Sequence, residues 1–278
     1  MKPYLVGEIG INHNGSVELA KLSIGLAKTF GLDAVKFQKR TPRECVPKEQ
    51  WNIFKDTPFG EMKYIDYKER IEFCKWQYDE IDSHCRQNSI QWFASVWDKA
   101  SVDFMMDYDV PFLKIPSACI TDFELLEHIS DYDVKLILST GMSTKKNIDD
   151  ALNIIGGQTE YLLHCVSSYP TPDSQMNMLK LKALKEEYGN KYKIGFSNHS
   201  VKIIYSVQAY VMGAEMLEFH ITLDRSFKGT DHQASFGPRG LEVLTNHIKS
   251  IADGWGSGKM ELQESELPMA RKLRKVMA

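Results

Sequence analysis

The side chains best suited to chemistry lie between Tyr192 and Ser235, where YKIGFSNHS and EMLEFHITLDRSFKGTDHQAS flank an apolar helical run. His199 and His220 each stand at the exit of a short apolar run with the composition of a buried strand. If those strands are parallel neighbours, both imidazoles open at the same end of one sheet. Neutral imidazole on a rigid element is a good ligand for a first-row divalent ion, and Asp231 follows in a polar loop. A single histidine at a strand end is usually a satisfied structural residue; two at matched positions make a metal site an equally good reading.

The elements that position these histidines come by repetition. YLVGEIGI reads as a buried strand, NHNGS as a polar turn and VELAKLSIGLAKTF as a helix that Gly31 closes as a C-cap. The same order recurs in DAVKFQ, in IQWFAS before a helix from about Asp98, in FLKI before TDFELLEHI and in VKLILS before TKKNIDDALNII. YLLHCV before MNMLKLKALKEEY, KYKIGF before VKIIYSVQAYVMG, and EMLEFHI before PRGLEVLTNHIKSI complete eight units. Short apolar strands alternating with helices predict a parallel sheet. Eight units predict an α/β fold closed as a (β/α)8 TIM barrel over residues 1–254, with an open doubly wound sheet as the alternative. Two segments break the rhythm. Arg40 to Tyr67, rich in Pro, Lys and aromatic residues, reads as a long loop, either a functional lid, a segment that packs on a dimer partner or a disordered stretch, and residues 255–278 read as a solvated tail or a truncated linker.

In such a barrel the site forms at the carboxyl ends of the strands. That rim carries Glu8, Lys36 with Gln38, Ser95, Lys114 with Ser117, Ser139 with Thr140, His164 with Ser167 and Ser168, His199 and His220. Lys36 and Lys114 interrupt apolar runs where an unpartnered ammonium is costly. Singly, each could snorkel to water; together with the hydroxyls they describe a pocket for a phosphate or carboxylate dianion. Glu8, inside GEIGI, is either a paired structural carboxylate or a group that touches substrate. A metal that polarises an oxygen beside such a pocket suits a phosphorylated substrate.

Composition narrows the class. The 278 residues, 43% hydrophobic and 26% charged, fit one large domain or two small ones, and a formal net charge of −3 gives no reason to expect nucleic acid or an anionic membrane. Cys45, Cys74, Cys85, Cys119 and Cys165 form an odd set without C-x-x-C spacing, which points to a reduced, cytoplasmic protein. No run reaches the roughly eighteen apolar residues of a membrane span.

GEIGINHNGS, AVKFQ, FLKIPS, LSTGM, LLHCVSSYPTP, IGFSNHS and LEFHITLDRSFKGTDHQAS, in this order across roughly residues 4 to 250, resemble the barrel domain of the N-acetylneuraminate (sialic acid) synthase family. The resemblance implies condensation of phosphoenolpyruvate with an open-chain N-acetylhexosamine, typically N-acetylmannosamine, to a nine-carbon 2-keto acid and phosphate. It implies a divalent metal on His199 and His220, Mn2+ first with Mg2+ or Co2+ as alternatives. Lys36, Ser95, Lys114, Ser117, Ser139 and Ser197, with Ser167 where Asn is common, match the phosphoenolpyruvate pocket. Glu8, Tyr169 and Asp231 match the sugar contacts, and a homodimer is implied.

Two departures stand out. Ala118-Cys119 replaces a common Gly-Glu whose carboxylate contacts the sugar, and Ala278 falls where family members begin a C-terminal antifreeze-like domain that carries an arginine into the partner's site. The Arg40–Tyr67 loop is then the candidate to cover the rim, its cations standing in for that arginine. A Schiff-base aldolase using Lys36 or Lys114, and a barrel that binds a sugar acid without turnover, are the competing readings.

Overall fold

The computed structural model describes residues 2–276. In chain order the strands are β1 (Tyr4–Gly10), β2 (Ala34–Lys39), β3 (Phe54–Thr57), β4 (Gly60–Lys63), β5 (Gln91–Val96), β6 (Leu113–Ile115), β7 (Leu136–Ser139), β8 (Thr159–His164), β9 (Lys193–Asn198) and β10 (Met216–His220). β3 and β4 form a separate antiparallel hairpin; the other eight close into a barrel in the order β1-β10-β9-β8-β7-β6-β5-β2. β1 pairs in parallel with both β2 and β10, so the sheet has no open edge and the doubly wound alternative is excluded.

The outer ring is built from α1 (Val17–Thr29), α4 (Lys75–Gln87), α5 (Lys99–Met105), α6 (Phe123–Ser130), α7 (Lys145–Ile155), α8 (Leu179–Tyr188), α9 (Ile204–Val211) and α10 (Pro238–Gly254), with short α2 (Pro42–Cys45), α3 (Tyr64–Ile71) and α11 (Leu267–Leu273) added. Side-chain caps set several of the starts: Ser16, Asp98, Asp122 and Thr144 each accept a backbone N–H of the first turn. Gly31 takes φ +68° just beyond α1, a conformation that disfavours a side chain.

Successive strand residues face opposite ways, and the core divides accordingly. Val6, Ala34, Phe93, Phe112, Ile137, Tyr161, Leu163 and Met216 form one buried cluster inside the barrel. Their neighbours in sequence, among them Leu5, Val35, Trp92, Leu113, Leu136, Leu162 and Leu217, join a larger cluster between sheet and helices.

Two segments depart from expectation. Arg40–Tyr67 is no irregular loop: it contains α2, the β3–β4 hairpin and the start of α3. Backbone bonds from Tyr64 to Ile53 and from Ile65 to Trp51 tie its ends together. Within 255–278 lies α11, which buries Ala270 and leaves Met269 and Leu273 exposed. Among the described residues no helix is long and apolar enough to cross a membrane, and all five cysteines are free.

Candidate active site

Two residues beyond the inner apolar layer, the same strands turn polar. Val6 leads to Glu8, Ala34 to Lys36, Phe93 to Ser95, Phe112 to Lys114, Ile137 to Ser139 and Met216 to Glu218, then His220. Register aligns Glu8 with Lys36 on one side and with His220 on the other, and Ser95 with Lys114. Lys36 Nζ lies 2.6 Å from Glu8 Oε2, 2.7 Å from Ser95 Oγ and 3.8 Å from Glu218 Oε1. Lys114 Nζ lies 2.5 Å from that same Glu218 oxygen, which also accepts from Ser197 Oγ at 3.1 Å.

All four charged groups are buried, so each ion needs the others: one buried charge alone would cost several kcal/mol. Burial pushes the Lys114 pKa down. Burial works against the Glu218 carboxylate too, but the Lys114 and Lys36 ammonium groups outweigh it and hold that carboxyl well below its usual range. Glu218 Oε2 has no hydrogen-bond partner, nor does the buried Ser139 hydroxyl.

The two imidazoles face each other beside this cluster, with ring centroids 5.8 Å apart. His199 Nδ1 bonds the Val166 carbonyl at 2.6 Å, which turns Nε2 toward Tyr169 OH at 3.0 Å and Ser197 Oγ at 3.3 Å. Burial, with the neighbouring His220, pushes its pKa down to about 3, so the ring is neutral. Tyr169 stacks on it at 4.2 Å; half of that side chain is exposed, yet burial at its hydroxyl end raises the phenol pKa. His220 Nδ1 is buried without a hydrogen bond and looks toward Asp231 Oδ2, 3.6 Å away. Burial would raise the Asp231 pKa, but His220, the Thr230 hydroxyl, Lys68 and Arg40 together lower it.

Loops hold these groups in place. Asn12, in the turn after β1, donates at 2.8 Å to both the Ile221 carbonyl and Ser235 Oγ, pinning the loop that carries Asp231. Gly141 approaches so closely that a Cβ there would lie 2.5 Å from Ser167 Oγ and 2.8 Å from Ser117 Oγ, and its N–H donates to Ser117 Oγ at 2.9 Å. A cavity of about 240 Å³ results. Glu8, Lys36, Ser95, Lys114, Ser117, Ser139, Ser167, Tyr169, His199 and His220 line it. Ser197 lies behind the wall, and Asp231 stands next to His220 outside it.

Some rim residues leave the site. Thr140 bonds the Leu163 carbonyl and His164 the Met176 carbonyl, both as buried structural groups. Ala118 rather than Cys119 lines the cavity; the Cys119 thiol faces the Trp97 carbonyl. Sequence reasoning missed Glu218. Its signal was the one that marked the lysines, a charge inside an apolar strand, two residues before His220. It also missed the part played by Gln38, which donates to Glu8 Oε1 at 2.8 Å and accepts from Arg40.

Fold and site together define a barrel enzyme whose cavity, at the carboxyl ends of the strands, combines paired lysines and carboxylates with two buried imidazoles. The profile of the NeuB family matches residues 23–260, and this chain belongs to that family, whose members are condensing enzymes of the sialic acid synthase type. It is 36% identical over 256 residues to N-acetylneuraminate-9-phosphate synthase of Drosophila melanogaster, covering 89% of this chain and 68% of that one. It is 32% identical over 274 residues to N,N'-diacetyllegionaminic acid synthase of Campylobacter jejuni, covering 95% and 81%. The crystal structure of N-acetylneuraminic acid synthetase from Leptospira borgpetersenii, in complex with citrate, superposes with a TM-score of 0.85 at 29% identity, covering 99% of this chain and 94% of that one.

Proposed function

We propose that this chain joins phosphoenolpyruvate to the aldehyde of an open-chain N-acetylhexosamine, giving a nine-carbon 2-keto sugar acid and inorganic phosphate. The observation that carries the reading is the buried Lys36–Glu8 and Lys114–Glu218 cluster beside the buried His199 and His220 imidazoles in a barrel of the NeuB family. The lysines take the phosphate and carboxylate of phosphoenolpyruvate, and the Ser95, Ser117 and Ser139 hydroxyls complete the pocket. An ammonium already paired with a carboxylate is a poor amine nucleophile, which favours anion binding over a Schiff base.

An anion that draws Lys114 toward itself weakens the cation that holds Glu218 low, and makes Glu218 a better proton acceptor as water adds to carbon 2. Loss of phosphate from that carbon, by C–O cleavage, completes the exchange. Glu8, fixed by Gln38 and Lys36, and Asp231 hold the acceptor's hydroxyls, while Tyr169 covers His199.

His199 and His220 fit a divalent ion, Mn2+ or alternatively Mg2+ or Co2+. The Nδ1 of His199 is anchored on a carbonyl and that of His220 faces a carboxylate, the orientation that leaves the other ring nitrogen as ligand. Such an ion, when bound, supplies Lewis-acid polarisation of the aldehyde oxygen. The relatives' names divide between products with and without a terminal phosphate, so the acceptor is open at its distal end.

Phosphate release from phosphoenolpyruvate, assayed with Mn2+ against a panel of N-acetylated hexosamines, tests the function. Release should depend on the acceptor and stop on chelation, and oxygen-18 in the bridging C–O position should appear in the phosphate. Release that no acceptor stimulates would reject the reading.

A further inference from the structure

Ser167 and Cys165 face two cavities. On one side is the active cavity; on the other, a second of about 560 Å³ opens between the loops that follow β7 and β8, and it shares Met142, Cys165 and Ser167 with the first. The partition is thin because residue 141 is glycine: a Cβ there would lie 2.5 Å from Ser167 Oγ and 2.9 Å from Cys165 Sγ.

Three side chains of the second cavity are left incomplete. Lys180, on α8, donates to the Thr140 carbonyl at 2.9 Å and the Ser143 carbonyl at 3.4 Å. None of the residues that line the cavity with it is acidic, so its charge has no counterion there. The Ser168 hydroxyl is buried and unpartnered. His164, 1% exposed, places Nε2 on the Met176 carbonyl at 3.0 Å, so that nitrogen carries the ring proton. Burial pushes the ring's pKa down to about 4, which keeps it neutral. Nδ1 is therefore a bare acceptor, buried and without a partner.

Buried polar atoms without partners are costly in a finished fold, and these three call for a ligand of narrow description. Lys180 calls for an anion, as does the N-terminus of α7, whose N-cap Thr144 stands in the same wall. His164 Nδ1 calls for an O–H on that anion. Near neutral pH a carboxylate or sulfate carries none, whereas inorganic phosphate carries both charge and O–H.

We propose that Lys180, Ser168 and His164 form a second oxyanion site, for inorganic phosphate, next to the pocket that takes phosphoenolpyruvate. The site receives the phosphate lost in the condensation: released beside Ser117 and Ser167, it has only to pass Ser167 to reach Lys180. The inference rests on the function proposed above for the source of the phosphate, though not for its binding. With phosphate held there the first pocket is free for the next phosphoenolpyruvate, so inhibition by phosphate is not competitive with that substrate.

Calorimetry tests the site without turnover, by titrating inorganic phosphate into protein saturated with phosphoenolpyruvate and lacking any acceptor. One phosphate should bind per chain, and sulfate should bind about 10-fold more weakly, the loss of one buried hydrogen bond. Lys180→Met should weaken phosphate about 10- to 100-fold and bind phosphoenolpyruvate as wild type does. Lys180→Arg, which keeps the charge and guards against a folding defect in Lys180→Met, should retain phosphate. No binding to the loaded protein, sulfate as tight as phosphate, or wild-type affinity in Lys180→Met would each overturn the proposal.

The release assay described above separates this site from the function. Acceptor-dependent release without Lys180-dependent phosphate binding would sink the site and leave the function standing. Lys180-dependent binding without acceptor-dependent release would do the reverse.

Discussion

Inside one barrel, two layers of side chains drawn from the same strands do opposite work. The lower layer, Val6, Ala34, Phe93, Phe112, Ile137 and Met216, is apolar and buried; the layer two residues further on, Glu8, Lys36, Ser95, Lys114, Ser139 and Glu218, is equally buried and almost wholly polar. The backbone does not distinguish them. What differs is that the lower layer is satisfied by packing, whereas the upper one is satisfied only by mutual pairing and keeps unpartnered atoms at Glu218 Oε2 and Ser139 Oγ. Packing fixes the barrel, and the unsatisfied polar layer is what a ligand completes.

The largest effect should come from the upper layer and appear only in activity. His199→Ala and His220→Ala should each lower turnover by about a thousandfold, the several kcal/mol that Lewis-acid stabilisation by the proposed ion would supply, while the melting temperature stays close to wild type. A collapse of stability in parallel would make these histidines structural.

The lower layer should answer in reverse. Phe93→Ala, at a fully buried position packed edge-on to Phe112 at 5.8 Å, should cost about 3–5 kcal/mol in urea unfolding. Its kcat/KM per folded molecule should remain near wild type. A large fall in kcat/KM would mean that the two layers are not separable.

The smallest effect is in pH. Burial pushes His13 down to about 3 and His164 to about 4, from ordinary values of 6.5, and both rings lie outside the cavity. Below pH 6.5 the unfolded chain takes up protons that the folded rings refuse. Their contribution is therefore complete above pH 6.5 and is lost as pH falls toward 4, by up to about 1.4 kcal/mol per pH unit per histidine. Urea midpoints at pH 7.5 and 5.5 should show the loss, and His164→Gln should shrink it. A flat profile would contradict neutral burial.

Much of this was legible in the sequence because the barrel's period of two is written directly into it. Lys36 in AVKFQ and Lys114 in FLKIPS announce the polar layer by interrupting apolar runs, and the eight strand–helix units appear where composition places them. Glu218 carried the same sign but stood beside His220, which drew the reading of that strand to itself. The hairpin was hidden for a different reason. Phe54–Thr57 and Gly60–Lys63 are charged, mostly exposed strands, so no alternation marks them, and their pairing owes more to the turn and to contacts of the surrounding segment than to a buried face. Contacts between loops of different units, such as Tyr169 on His199 or Arg40 on Trp97, have no signature along the chain at all.

The clasp of Asn12 on Ile221, across 209 residues of sequence, also sets when the site can exist. Glu8 and Glu218 belong to the first and last strands of the barrel, which meet only when β1 and β10 pair. Closure over so long a stretch of chain is entropically disfavoured until neighbouring strands are in place, and non-local parallel pairing is slow. Until that seam shuts, Lys114 has no Glu218 and the imidazoles have no common cavity. Catalytic competence is thus a late checkpoint on the folding route: no partly assembled barrel can bind and turn over its substrates, however complete each of its units already is.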